Sequence, residues 1–479
     1  MRVAEEVRAP IEPLSIEDPD RGGFMLVMFS GIALLIVFFL VSSFLGNSGG
    51  YDTIGAFVVA PLVFAFTIPI LSRQAKREGD KTLMTLLVIA LILKLLGAIA
   101  RYVFAIDVYG GKNDAIYYDY IGRQVAASLR SGQFTNLASA GYTGTDFIQL
   151  LTGIVYTIIG DTIIGGFLFF SWLGFLGLFL FYRAFTIAVP EGRRRTYLKF
   201  IFFMPSLLFW PSSIGKESWM MFSLGIAAYG AANLLNGKML KGTPILAIGL
   251  WFAALPRPHI AALAGIAIAA AFLLKPTSQR LRAFAPILKL VTLAIVAVAA
   301  VFFVGQAQSF LQSSGVNTTG GLSTALTDAA SKSSGGKSSF TAPVITSPKQ
   351  VPLATVTVLF RPTLIESHSP QGALAASEGT FLAIYTMVRF GWGMAALRLI
   401  RRRPYIAFSF VMVGLLIFAF STIGNLGILA RERVQLLPFY FVVFCVPSKR
   451  WRARREAREK DKAESEARLR GLKSATLGA

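Results

Sequence analysis

The chain has 479 residues, 54% of them hydrophobic, a formal net charge of +22 and a single cysteine. With a mean hydropathy of +0.61 it excludes an ordinary soluble protein. Cys445 alone excludes an internal disulfide framework. The basic excess is spread in short clusters between apolar runs, with 11 Lys/Arg against 5 Asp/Glu after Val446, which is a topology pattern and not a nucleic-acid surface.

Apolar runs of spanning length predict an all-α, polytopic membrane protein with about 12 transmembrane helices. Residues 1–23 read as a cytoplasmic tail, with no evident cleavable signal, and residues 24–446 as the membrane domain. Residues 447–479 read as a basic cytoplasmic tail.

In chain order, Phe24–Leu45 and Ile54–Leu71 are the first two expected spans, and Arg73, Lys76, Arg77 and Lys81 then mark the cytoplasm. Thr82–Ala100 runs outward, with Lys94 expected to snorkel toward Arg101. An extracytoplasmic loop, 101–146, follows. Phe147–Ile159 is expected to lie at the interface or re-enter, and Thr162–Tyr182 to return inward. Phe200–Trp210, Trp219–Leu235, Pro244–Leu255, Ile260–Leu274 and Ile287–Val304 alternate across the bilayer, around basic clusters at Arg193, Lys238 and Lys275. A second outer loop, 305–378, is rich in Ser, Gly, Thr and Ala. Phe381–Leu399, Tyr405–Ile423 and Leu436–Val446 complete the set, with Arg401, Arg402 and Arg403 inside.

This topology collects charges of both signs at the outer helix ends. Asp107, Asp114 and Asp119 stand in the first loop; Lys216, Arg257, His259, Arg431 and Arg433 stand at later turns. Charges so close to a bilayer are functional or paired. A carboxylate there can take a proton from a hydroxyl, and Arg or Lys can hold a phosphate as it departs. Each stretch also has a structural reading. Asp119 and Arg123 have the spacing of a helical ion pair, and Asp114 that of a helix cap. Glu217 and Glu432 can neutralise the adjacent Lys216 and Arg431. His259 and His368 are the only histidines, so no His-rich metal site can form, while a divalent metal on Asp carboxylates stays open.

The stretch DAIYYDYIGRQVAASLRSGQF, 114–134, in an outer loop followed by aromatic-rich helix, resembles the GT-C superfamily of membrane glycosyltransferases. That resemblance implies surface-lying helices in the loop, a polyprenyl-phosphate-linked sugar as donor, a glycan or lipid acceptor, and an acidic base in the loop. It implies no required cofactor. Arg257, His259, Arg361, Arg431 and the 305–378 loop are also similar to O-antigen-type polymerases and ligases. A lipid or solute transporter is a third reading, disfavoured because the span interiors carry little charge apart from Lys94 and Arg389. The expected setting is a bacterial cell membrane with both termini cytoplasmic, in contact with membrane lipids and no nucleic acid.

Overall fold

The computed structural model describes residues 50–133, 141–275, 322–335, 338–367 and 369–446, with positions 287, 290 and 457. Regular structure among them is helical, relieved by one β-bridge between Ser339 and Asn425. The helices are α1 (Gly50–Glu78), α2 (Lys81–Val103), α3 (Asp114–Arg130), α4 (Gly144–Ile159), α5 (Ile163–Ala188), α6 (Arg194–Phe203), α7 (Pro205–Phe209) and α8 (Lys216–Leu235). They continue as α9 (Met239–Ala254), α10 (Pro258–Leu274), α11 (Leu322–Ser333), α12 (Val351–Phe360), α13 (Pro370–Leu397), α14 (Pro404–Phe420), α15 (Leu426–Glu432) and α16 (Leu437–Phe444).

Among the described residues five helical segments are long and apolar enough to cross a membrane: Gly55–Glu78, Thr82–Val108, Ile163–Ala188, Lys216–Leu235 and Gly372–Leu397. The expected span Phe24–Leu45 lies outside the described residues, as does nearly all of Ile287–Val304. Several others are corrected. Phe200–Trp210 is no single span: the backbone of Met204 is extended ahead of Pro205, and the segment splits into α6 and the five-residue α7. The helix expected from Leu436 ends at Phe444 after eight residues. Helix α13 begins at Pro370, so Glu378 is a helical residue and not the end of a loop.

The centre of the bundle is α5 packed on α8, with α9 on the far side of α8. Glycines bring these backbones into contact. A Cβ on Gly225 would stand 2.4 Å from the Gly177 carbonyl oxygen, and one on Gly249 2.3 Å from the Ala227 nitrogen. Close backbone approach of this kind is how helices associate where lipid gives no hydrophobic drive. It fixes the first turn of α8, which carries Glu217, against the neighbouring helix ends. At the opposite end of the bundle, Arg195 is 2.9 Å from Asp80, Arg194 3.7 Å from Glu78, and Arg403 2.9 Å from Glu191.

Lys94 does not snorkel. It is fully buried on α2, and its Nζ donates to the Leu207 carbonyl at 2.6 Å. The cause is the break before α7. A five-residue helix leaves carbonyls without intrahelical partners, and the lysine supplies a donor. The break thus positions the residues that follow it, Phe209 and Trp210, beside the end of α2.

Candidate functional site

Helix α2 does not stop at Ala100. It continues to Val103 and then widens into one π-helical turn, Phe104–Val108. Gly110 and Gly111 take positive φ of 59° and 73°, which turns the chain back. Asn113 then caps α3. Its side-chain oxygen accepts from the amide of Ala115 at 3.1 Å, and its Nδ2 donates to the Ala105 carbonyl at 2.9 Å. The cap expected at Asp114 therefore falls one residue earlier. With Asn113 satisfying the helix end, the Asp114 carboxylate remains exposed at the first position of α3.

Four helix ends meet over this point. Arg257, at the start of α10, is buried; its Nη2 donates to Glu217 at 3.1 Å and to Glu432 at 2.6 Å, and its Nη1 donates to the other oxygen of Glu432. Gln435 Nε2 donates to Glu432 at 2.6 Å. Arg431 then bridges outward: its Nε lies 3.2 Å from Glu217, and its Nη1 donates to Asp114 at 3.1 Å. The nearby Glu217 carboxylate, followed by Glu432 and Asp114, outweighs burial and raises the pKa of the Arg431 guanidinium, so its charge is permanent. The result is a continuous chain of charge from the buried Glu432 to the exposed Asp114.

A cavity of about 210 Å³ opens at the outer link of this chain, and Arg101, Lys112, Asp114, Tyr118, Glu217 and Arg431 are among its lining residues. Three cations and two carboxylates face it, a surplus of one positive charge. Burial, aided by Asp114 and Glu217, raises the pKa of the Tyr118 hydroxyl, so the phenol is neutral and able to donate. Ser213, Ile214 and Gly215 supply the wall between α7 and α8.

Arg101 and Glu217 line the cavity and were not among the expected site residues. Arg101 reads as a flank of an apolar run and Glu217 as the neutraliser of Lys216. In the fold Arg101 sits against two aromatic rings, its guanidinium carbon 4.9 Å from the centre of Phe209 and 5.0 Å from that of Trp210. The available signal was Phe209-Trp210 in a chain break facing the end of α2.

Other expected site residues stand elsewhere. Asp119 is buried between α3 and α4, where it accepts from Tyr156 Oη at 2.6 Å and Arg123 Nε at 2.9 Å. Asp107 is exposed on the π turn and does not line the cavity. Lys216 turns to Thr145, donating to its hydroxyl at 2.9 Å. His259 is half-buried on the first turn of α10, outside the cavity lining. Arg433 is wholly buried and donates from Nη1 to the carbonyls of Leu359 and Arg361, both at 2.9 Å, with Glu378 3.9 Å away. Arg361 pairs with Glu366 and stacks 4.3 Å from the Phe340 ring centre. Of the eight expected site residues, the fold brings Asp114 and Arg431 to the cavity and sets Arg257 behind them. Among the described residues no group of three His, Cys, Asp or Glu gathers to hold a metal. No protein-family model, curated protein or solved structure matches this chain.

Proposed function

We propose that this protein is an integral membrane glycosyltransferase, taking a sugar from a polyprenyl-phosphate carrier to an acceptor hydroxyl on the extracytoplasmic face. The observation that carries this reading is the meeting of Asp114 and Arg431, 317 positions apart, at one cavity with surplus positive charge. In the proposed step Asp114 takes the proton of the acceptor hydroxyl. The freed oxygen pair attacks the anomeric carbon, and the bond from that carbon to the phosphate oxygen breaks. The lipid phosphate leaves with that electron pair, stabilised by Arg431. The carrier already holds the activation, so the scheme calls for no nucleotide. The polymerase-type reading draws less support, because neither Arg257 nor Arg361 lines the cavity that Asp114 and Arg431 share.

The test is Asp114→Asn in cells and in reconstituted vesicles, with lipid-linked and envelope glycans followed by mass spectrometry. Transfer should fall by about 10²–10⁴-fold, the usual worth of a positioned base, with the protein folded and inserted. Full transfer by the variant would remove the assignment. Accumulation of a complete lipid-linked repeat unit on deletion would point to the polymerase instead.

A further inference from the structure

Arg101 is incompletely satisfied by its own chain. Its Nε and Nη1 are buried and find no hydrogen-bond partner among the described residues. A guanidinium with buried, unfilled donors is a receptor for an anion. The side chain lines the charged cavity beside Lys112 and Arg431, while its guanidinium carbon lies about 5 Å from the ring centres of both Phe209 and Trp210.

Behind that aromatic wall lies a second cavity, about 280 Å³ in volume and predominantly apolar. Ala100 and Phe104 come from the end of α2, Phe209 and Trp210 from the chain break, and Leu374 and Ala375 from α13. Its polar members are already engaged. Glu378 accepts from the Ser206 amide at 2.8 Å and the Ser206 hydroxyl at 2.6 Å. Trp210 lines both cavities. Leu374 is exposed, so the apolar cavity has an edge at the outside of the bundle, on a helix whose apolar face is mostly uncovered.

We infer that the two cavities form one site for an amphiphilic phosphate, with the phosphate on Arg101 and the first segment of its hydrocarbon chain in the α2–α7–α13 cavity. The headgroup cavity carries a surplus of positive charge, and a phosphate ester is an anion. The chain enters sideways past Leu374. This rests on the transferase reading only for what happens next; the binding itself needs neither sugar nor acceptor.

The test uses the full chain in dodecyl maltoside micelles, with radiolabelled farnesyl phosphate as probe and inorganic phosphate and farnesol as competitors. Farnesyl phosphate should bind, and both competitors should displace it poorly. Arg101→Gln should weaken binding about tenfold or more, the worth of a hydrogen bond to a charged group, and Arg101→Lys should restore part of it. Leu374→Trp, which crowds the apolar cavity, should weaken farnesyl phosphate as well. Equal competition by inorganic phosphate would mean a free-anion site, and equal competition by farnesol would mean simple apolar partition; either overturns the inference. So would wild-type binding by Arg101→Gln. If that variant does not fold, unchanged binding by Leu374→Trp overturns the chain placement. A protein that binds the probe yet transfers no sugar would sink the transferase reading alone.

Discussion

Arg257→Ala tests whether this residue grips substrate, as the sequence suggests, or holds the site together. Arg257, Glu217 and Glu432 are each about a tenth exposed, and the guanidinium donates to both carboxylates. Truncation leaves two buried carboxylates and one remaining guanidinium, that of Arg431, which is already shared with Asp114. Breaking a buried ion pair from one side costs about 3–5 kcal/mol, because the abandoned charge stays desolvated. The assay is reversible unfolding in mixed micelles, titrating sodium dodecyl sulfate and following helix content. The variant should unfold earlier by about that free energy. The triple variant Arg257→Met, Glu217→Gln, Glu432→Gln should recover part of the loss, since no carboxylate is then left buried without a counter-charge and Arg431 keeps Asp114 as its partner. A stability loss in Arg257→Ala below about 1 kcal/mol would refute the scaffold role, because it would match an ordinary exposed pair. Reduced donor binding at unchanged stability would return Arg257 to the phosphate site.

Asp119→Asn should destabilise the protein by about 1–3 kcal/mol by disturbing the buried contacts to Tyr156 and Arg123. Turnover per folded molecule should be unchanged, and a turnover loss like that of Asp114→Asn would put Asp119 back in the catalytic role. Burial raises the pKa of Asp80, but hydrogen bonds from Thr82 and Arg195 win and hold it below its ordinary 3.8. A depressed folded-state pKa gives stability that is complete above the unfolded value and lost as pH falls through the folded one. Acid unfolding below about pH 4 should therefore be shallower in Asp80→Asn than in the wild type; identical acid limbs would show that the turn contributes nothing.

The long apolar helices were legible because their runs exceed the bilayer thickness, and α5 matches its expected span except for six further residues at the C-terminal end. The gathering of Asp114, Lys216-Glu217, Arg257 and Arg431 on one face was also legible from the alternation of basic clusters. What was not legible is the pairing within that gathering. Glu217 and Glu432 sit beside Lys216 and Arg431 in sequence, but consecutive helical residues point in different directions. Arg257 joins the two, 40 and 175 residues away from them. The α6–α7 break had a visible sign in Pro205 and in a run too short to span. The cap at Asn113 was missed by one residue, and that one residue decides whether Asp114 caps its own helix or is left to meet Arg431. Arg433 looked like a twin of Arg431, yet the 3-10 turn after α15 sends it inward to main-chain carbonyls.

The bond between Asp114 and Arg431 also sets a clock. A ribosome adding about 5–20 residues per second needs roughly 15–60 s to travel the 317 positions between them. For that interval the nascent chain presents α3 with its aspartate before the arginine meant for it exists. The cavity is thus among the last parts of the molecule to be assembled, and a chain ending between Leu397 and Ala430 would hold every other wall of the pocket without its Arg431.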